Sequence, residues 1–465
     1  MSEKSQGQKM LETLSYSKKN IFEESSSEKI KEIYEYSKGY VTYLDKSKTE
    51  REATLEAIKL LEARGYREYH LGDKISVGDK KYLNHHGKSL FAFSIGTEDI
   101  EKDGMRIVAA HIDSPRIDLK QIPMYEDSGM GFLKTHYYGG VKKYQWTAIP
   151  LAIHGVIVKA DGSSVDVVIG ENDTDPVFYI NDLLPHLAQK QVVEPLGSAI
   201  SGESLNILIG GLPYNDKEVK EKIKLTALSI LNEKYGITEE DFLSAELSLV
   251  PAFKARDIGF DRALIGSYGH DDRVCAYPAL TALMDSDSRH TVLVVLADKE
   301  ETGSDGVTGM QSDILVDIID EISANLKKNG RVVRSNSKCL SADVSAAFDP
   351  NFADVYERRN SAILSCGATM NKFTGARGKS STNDASAEFV GFVRRILNEN
   401  GVIWQTAELG RVDLGGGGTV AKYIANHNIE TVDIGVPVIS MHAPYEVISK
   451  ADLYSTYEAF LAFLK

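Results

Sequence analysis

Three apolar runs in the chain each end abruptly in polar residues. The runs cover 105–110, 291–297 and 431–440, and each has the length and composition of a buried strand. The strings that follow them are HIDSP, DKEETG and MHAP. Because sites in α/β sheets form beyond the carboxyl ends of strands, this repeated pattern predicts a functional site there.

The segments between these runs have the apolar spacing of amphipathic helices. Thr49 and Glu52 form a capping-box pattern ahead of an N-terminal helix. Alternation of strands and helices in the second half favours an α/β sheet with helices on both faces. The further helix candidates lie at 272–284, 311–328, 384–399, 417–426 and 450–464.

Residues 117–250 have a different pattern, with short alternating strands separated by Gly and Asn-Asp turn signals. This pattern predicts an inserted β-rich domain. The flanking parts, 1–116 and 251–465, then come together as one domain that carries the chemistry.

Composition narrows the class of protein. The chain has 465 residues, with 53 basic and 67 acidic side chains and a net charge of −14, which disfavours nucleic acid as a partner. No apolar run reaches the roughly 18 residues of a membrane span, so we expect no membrane association. Cys275, Cys339 and Cys366 are widely spaced without a CxxC pair, which is typical of a reducing compartment and predicts a cytoplasmic location.

Imidazole and carboxylate side chains recur at the predicted strand ends and helix starts. Alone, each is an ordinary turn or cap residue; together, without thiolates, they suit Zn, Co or Mn. Three ligand carboxylates and one free Glu carry a charge of −4, which two dications would neutralise. The alternative is a set of solvated surface turns. The candidates are His111, Asp113, Asp271, Asp272, Glu300, Glu301, Asp343 and His442.

Several strings resemble the aspartyl aminopeptidase family of dinuclear-zinc exopeptidases. They are HIDSP at 111–115, YYGGVKKYQW at 137–146, DDR at 271–273, DKEETGS at 298–304, SADVSAAFDP at 341–350, GGGGTVA at 415–421 and SMHAPYE at 440–446. The resemblance implies an α/β/α sandwich catalytic domain with a mixed sheet, interrupted by an inserted β-rich dimerisation domain. It also implies peptide substrates and assembly through dimers into a tetrahedral dodecamer.

The resemblance assigns roles to individual residues. Asp271 would bridge two metals, most simply zinc, with Co or Mn as alternatives. Glu300 would be the general base, and Asp113 would accept the second ring N–H of His111. Spacing alone does not separate Asp271 from its neighbour Asp272 as the bridge. His111 and Asp343 would complete one metal site, and Glu301 and His442 the other.

A histidine from a neighbouring subunit's insertion holds the oxyanion in this family. His186 is our candidate for it, and a buried structural histidine is the alternative.

Substrate preference is open at this point. Leu364 occupies a position where acid-preferring members of the family have lysine, although cations follow nearby at 372, 377 and 379. Both acidic and neutral N-terminal residues therefore stay under consideration. The glycines at 415–418 either let substrate backbone approach closely or form a tight turn. The string GKS at 378–380 is not a phosphate loop, since Phe373 replaces the required glycine.

Two rival functions share parts of this pattern. A dinuclear-metal carboxypeptidase or amide deacetylase would have a similar ligand set but would require a cation to bind the carboxylate of the substrate, and a free-amine and an N-blocked substrate distinguish it from an aminopeptidase. A non-catalytic, shell-forming homologue would have lost the base or the ligands. The presence of Glu300 and of all five ligand positions argues against the non-catalytic alternative.

Overall fold

Eight of the thirteen α-helices in the described residues begin at a residue whose side chain accepts a hydrogen bond from the backbone of the first turn. The computed structural model describes residues 4–287 and 289–465. Thr49 and Glu52 make both hydrogen bonds of the capping box, as predicted. The described α-helices are α1 (Gln6–Leu14), α2 (Ile21–Glu24), α3 (Ser27–Asp45), α4 (Glu50–Glu62), α5 (Ile100–Asp103), α6 (Leu196–Ala199), α7 (Lys222–Tyr235), α8 (His270–Asp285), α9 (Ile314–Asn325), α10 (Gly330–Asn336), α11 (Ala387–Glu399), α12 (Ala421–Ala425) and α13 (Lys450–Leu464).

The strands of the described chain form three sheets. In chain order they are β1 (Arg67–Glu68), β2 (Lys80–His85), β3 (Ser89–Ser94), β4 (Arg106–His111), β5 (Arg116–Asp127), β6 (Met130–Tyr138), β7 (Leu151–Val158), β8 (Ser164–Ile169), β9 (Tyr179–Ile180), β10 (Ile207–Gly210), β11 (Ala245–Pro251), β12 (Arg256–Ile258), β13 (Leu264–Ser267), β14 (Val292–Ala297), β15 (Lys338–Ser341), β16 (Ser345–Ala346), β17 (Ala368–Asn371), β18 (Trp404–Thr406), β19 (Glu430–Gly435), β20 (Pro437–Ile439) and β21 (Glu446–Ser449).

The largest sheet has nine strands in the order β1-β2-β3-β14-β4-β15-β19-β17-β18. It is mixed, because β14, β4, β15 and β19 run parallel, while β3 is antiparallel to β14 and β17 is antiparallel to β19. Val108 and Ala110 of β4 face one core with α8 and α13, whereas Ile107 and Ala109 face another with α9. Alternate side chains of β4 thus pack into cores on opposite faces of the sheet. The predicted α/β fold with helices on both faces is confirmed.

A second sheet contains seven strands in the order β8-β7-β11-β5-β6-β10-β9. All of them lie between Arg116 and Pro251, the stretch where the sequence predicts a β-rich insertion. Their core is separate from the two cores of the large sheet and contains the fully buried Trp146. A five-stranded sheet, β12-β13-β21-β20-β16, lies within the second half of the chain.

The helix predicted at 417–426 is shorter than expected. Only Ala421–Ala425 is helical, and the glycines before it are extended or turned rather than the first helical turn. Glycine costs about 1 kcal/mol relative to alanine in a helix, so four in succession do not sustain one. Within the described residues, no helix combines the length and the apolar character that crossing a membrane requires.

Candidate metal centre and active-site cavity

Three neighbouring strands deliver acidic and imidazole side chains to one edge of the large sheet. β4 ends at His111, Glu300 and Glu301 follow β14, and Asp343 follows β15. The strands lie side by side and parallel in the order β14, β4, β15. Their carboxyl ends therefore meet, which brings together side chains as far apart in the sequence as His111 and Asp343, 232 positions.

Asp271 lies between two histidines. It is at the start of α8, and His442 comes from the turn between β20 and β21. One carboxylate oxygen of Asp271 is 3.1 Å from Nε2 of His111, and the other is 3.1 Å from Nε2 of His442. Asp272, the alternative bridge, has donor atoms within 4.8 Å of those of His111 and Asp343.

Both histidine rings are oriented by backbone carbonyl groups. Nδ1 of His111 is 3.0 Å from the carbonyl oxygen of Asp113, and Nδ1 of His442 is 3.0 Å from that of Gly140. The sequence predicts the Asp113 carboxylate as the partner of His111; its oxygen is at 3.3 Å. A neutral ring that donates through Nδ1 would have an unprotonated Nε2, so both rings could offer that atom to a metal ion bound beside Asp271.

The carboxylate of Asp113 also positions the adjacent glutamates. It accepts hydrogen bonds from the backbone N–H groups of Glu300, at 3.1 Å, and Glu301, at 3.2 Å. The hydroxyl of Tyr138 donates to the same carboxylate over 2.8 Å. Asp113 therefore fixes the turn that carries Glu300 and Glu301.

Glu446 is a site residue that sequence reasoning missed. Its buried carboxylate accepts hydrogen bonds from the backbone N–H of Asp271, at 3.1 Å, and from that of His442, at 2.7 Å. Burial and the Asp271 charge raise the pKa of Glu446 to about 8. Its sequence signal is that it ends the string SMHAPYE, four residues after His442, which does not reveal a hydrogen bond to a distant helix start.

Carboxyl groups crowd the centre with few compensating donors. Burial, and then the charge of Asp343, raises the pKa of Glu300 well above its usual range. Burial raises the pKa of Glu301 likewise, with Asp271 as the next cause. Both oxygens of Asp272 and one oxygen of Glu301 are buried without a hydrogen-bond partner among the described residues.

Buried carboxylates of this kind require either protons or a cation. Two sets of donor atoms in the described chain are close enough to hold an ion, and His111 belongs to both: one set adds Asp272 and Asp343, the other Asp271 and Glu301. The donors are imidazole nitrogens and carboxylate oxygens, which suit a dication such as zinc. The residues present therefore fit a divalent-metal centre.

A cavity of about 520 Å³ opens beside these residues. Val344, Leu409 and Met441 give it an apolar part, and the glycines at 416–418 form another side. Gly416 has φ = +113°, and a Cβ there would lie 2.3 Å from the Cα of Ala376. Glycine is required at this position, and the bare backbone is open to a ligand in the cavity.

The remaining predicted residues lie elsewhere. His186 is exposed on the 3-10 helix Pro185–Leu187 of the insertion and does not line this cavity, so it is not a buried structural histidine. Leu364 is half-buried and does not line the cavity either. Lys372 and Lys379 both form ion pairs with Asp384.

Comparison with known proteins identifies the family. The model of the aminopeptidase I zinc metalloprotease family (M18) matches residues 43–464. This chain belongs to the M18 family. A probable M18 family aminopeptidase 1 from Clostridium acetobutylicum is 49% identical over 457 residues, covering 96% of this chain and 98% of the relative.

Solved structures of M18 aminopeptidases have the same fold. A crystal structure from Thermotoga maritima superposes with a TM-score of 0.92 at 43% identity, covering 97% of this chain and 100% of that one. The S. cerevisiae mApe1 dodecamer superposes with a TM-score of 0.74 at 22% identity, covering 92% and 95%. As an M18 member, the protein is a metalloaminopeptidase, a hydrolase that acts on peptide bonds. The carboxypeptidase, deacetylase and non-catalytic alternatives are not favoured.

Proposed function

We propose that the centre holds two divalent metal ions, zinc in the first instance with Co or Mn as alternatives, and that Asp271 bridges them. The observation that carries this proposal is the position of the Asp271 carboxylate, with one oxygen facing His111 and the other facing His442. On this proposal His111 and Asp343 complete one site, and Glu301 and His442 complete the other. Donor atoms of both Asp271 and Asp272 lie close to that of His111, but only Asp271 also lies 3.1 Å from Nε2 of His442 among the described contacts, which favours Asp271 as the bridge.

Such ions would lower the pKa of a bound water and polarise the scissile carbonyl. Glu300 is the proposed general base: it accepts a proton from the attacking water and passes it to the leaving amine. Its Oε2 lies 4.0 Å from Nε2 of His111, so the carboxylate is beside the centre. Asp113 acts through the turn it fixes, by holding the backbone of Glu300 in place.

The substrate is proposed to be a peptide with a free N-terminal amine, as the names of the relatives imply. The apolar part of the cavity, at Val344, Leu409 and Met441, is suited to a substrate side chain. The water attacks the first peptide bond, so the products are an amino acid and a peptide shortened by one residue.

We further propose that the chain divides into a catalytic domain, formed by 1–116 and 251–465, and an inserted dimerisation domain at 117–250. Copies of the chain would associate through this insertion into dimers and then into a tetrahedral dodecamer. Support comes from apolar side chains concentrated on one exposed stretch, since contiguous exposed apolar surface marks interaction sites. The dodecamer of mApe1 is a further support. The exposed side chains are Leu183, Leu184, Leu187, Val192, Val193 and Leu196.

His186 lies within this apolar stretch. We propose that association carries His186 of one copy to the cavity of another, where it would stabilise the oxyanion. Its exposure supports this role, because an exposed imidazole is available to a second copy. We also propose a cytoplasmic location, which the buried free thiols of all three cysteines support and cell fractionation would test.

The experiment that tests the site is the Glu300→Gln variant, measured for metal content as well as turnover. Gln keeps the size of the side chain but is not a base. We expect kcat to fall by roughly 10²–10⁴-fold while both metal equivalents are retained. The matched control is Glu399→Gln on the exposed end of α11, which should behave as wild type. Near-normal turnover of Glu300→Gln would remove Glu300 from its proposed role.

A further inference from the structure

The cavity beside the metal centre contains one lysine that neither the sequence motifs nor the proposed chemistry employs. Lys422, in the first turn of α12, is the single Lys or Arg among the described residues that line this cavity. The same cavity is bordered by four acidic side chains, Asp271, Glu300, Glu301 and Asp343. A cation in such surroundings would ordinarily be paired with one of the acids.

Lys422 is not paired. Within the described chain, its Nζ has no carboxylate within 4.0 Å and no hydrogen-bond partner, and it lies over the face of the Tyr423 ring, 5.2 Å from the ring centroid. The hydroxyl of Tyr423 donates to the carbonyl of Gly303 over 3.1 Å. That hydrogen bond ties the first turn of α12 to the loop that follows Glu300 and Glu301. Lys422 therefore lines the cavity without a carboxylate partner among the described residues.

The other cations considered from the sequence do not compete for this role. Lys372 and Lys379 are both paired with Asp384, and Arg377 is exposed. None of the three lines the cavity. The whole chain carries a charge of −14, so it does not attract anionic substrates in general. A carboxylate that enters this cavity thus has one cationic side chain to bind.

We propose that Lys422 is a specificity-determining residue that binds a carboxylate group of the substrate. The inference rests on the aminopeptidase function proposed above and deepens it. A cavity of about 520 Å³ lies within the roughly 300–1,000 Å³ range of small-ligand sites, so it accommodates a dipeptide. The carboxylate belongs either to the C-terminus of a dipeptide or to an acidic N-terminal residue; both sources present the same group to the ammonium.

Two matched substrate pairs distinguish these sources. Leu-Gly and Leu-Gly-amide differ only in the C-terminal carboxylate, and Asp-Gly-amide and Asn-Gly-amide differ only in the side-chain carboxylate. Each is measured with metal-loaded wild type, Lys422→Met, Lys422→Arg and the control Lys38→Met, whose lysine lies exposed on α3. The readout is KM and kcat for each substrate.

In wild type, we expect a lower KM for the acid than for its neutral counterpart in one pair or in both. Lys422→Met should raise the KM of that acid about tenfold, the equivalent of about 1.4 kcal/mol. The neutral substrates and kcat should change little, Lys422→Arg should preserve the preference, and Lys38→Met should match wild type. The pair that responds identifies the source of the carboxylate.

Failure has two distinguishable forms. If wild type cleaves these free-amine substrates but shows no preference for either acid, or if Lys422→Met changes acid and neutral substrates equally, the role of Lys422 is refuted while the aminopeptidase function stands. If metal-loaded wild type cleaves none of them, the proposed function itself fails. Circular dichroism of Lys422→Met separates a folding defect from either result, and Lys422→Arg then carries the test.

Discussion

His154 connects the insertion to the catalytic part of the chain through two carboxylates. Its Nδ1 lies 2.7 Å from Glu52 of α4, and its Nε2 lies 2.9 Å from Glu171, which follows β8. A neutral imidazole has one N–H group and cannot donate to both, so the geometry requires the charged form. Lys48 and Lys254 also contact Glu171, each at 2.6 Å. The perturbation is His154→Gln, which removes the charge and leaves one donor group.

The expected cost follows from burial. The side chain of His154 is 4% exposed, that of Glu171 is 11% exposed and that of Glu52 is 23% exposed. Breaking a buried ion pair costs about 3–5 kcal/mol, because one charge is left uncompensated. In the variant, Glu171 still has two lysine partners, whereas Glu52 loses its only charged partner. Because Glu52 is partly exposed, solvent reduces the free-energy cost of leaving its charge unpaired. We therefore expect a destabilisation of about 2–3 kcal/mol.

Urea unfolding followed by Trp146 fluorescence measures this loss. Trp146 is fully buried in the core of the insertion, and Trp404→Phe removes the only other tryptophan. The control is His70→Gln, since His70 forms an exposed pair with Asp73 at 3.7 Å. Exposed pairs contribute about 0–1 kcal/mol, so this variant should unfold close to wild type.

The pH dependence has a defined sign. Burial acts to lower the pKa of His154, but its hydrogen bonds to Glu171 and Glu52 outweigh burial and raise the pKa above the ordinary 6.5. The stabilisation is therefore complete below pH 6.5 and is lost as pH rises through the folded-state pKa. The difference between wild type and His154→Gln should shrink on going from pH 6 to alkaline pH. If His154→Gln unfolds like the His70 control at pH 6, the reasoning is refuted.

Three further predictions concern the site and the assembly. Asp271→Asn should weaken both metal sites together, as measured by elemental analysis after dialysis; loss of one equivalent alone would contradict a bridging role. Asp433 is buried on β19, and burial raises its pKa from 3.8 to about 7. The unfolded chain therefore ionises this group at a lower pH than the folded chain does, and the folded state loses stability as pH rises from about 4 to 7. Asp433→Asn should flatten that part of the stability curve in urea titrations, and an unchanged slope would show that Asp433 does not titrate there. Val193→Glu, at a side chain that is 78% exposed, should convert a large oligomer into smaller species in sedimentation velocity without unfolding; an unchanged sedimentation coefficient would place the interface elsewhere.

Local sequence patterns correctly predicted several of the strands and helix starts. Apolar runs that end in polar strings mark β4 and β14 and the residues after them, because buried strands of a parallel sheet are nearly continuous in apolar residues. The capping box at Thr49 was also predictable, because its two hydrogen bonds join residues only three positions apart. The predicted length of α12 was wrong, because the spacing of apolar residues takes no account of the free-energy cost of consecutive glycines in a helix.

Long-range hydrogen bonds could not be predicted from the sequence. Glu446 contacts the backbone of Asp271, 175 residues away, and Gly140 of the insertion orients the ring of His442. Neither residue has a type or spacing that indicates such a partner. Lys422 is similar, since its place beside the acidic cluster depends on how the glycine-rich segment turns back toward the sheet. Strand-end position predicts His111, Glu300 and Glu301. The single strand predicted over 431–440 is wrong, because the run divides into β19 of the large sheet and β20 of the five-stranded sheet, and His442 reaches the site from the latter.

The most direct test of the account compares free and blocked substrates with controlled metal content. Leu-p-nitroanilide and N-acetyl-Leu-p-nitroanilide are supplied to metal-free protein that is titrated with zinc, and initial rates are followed against added equivalents. The account predicts hydrolysis of the free-amine substrate alone, rising until two zinc ions per chain are bound and abolished again by a chelator. Cleavage of the acetylated substrate, or full activity in the metal-free protein, would contradict it.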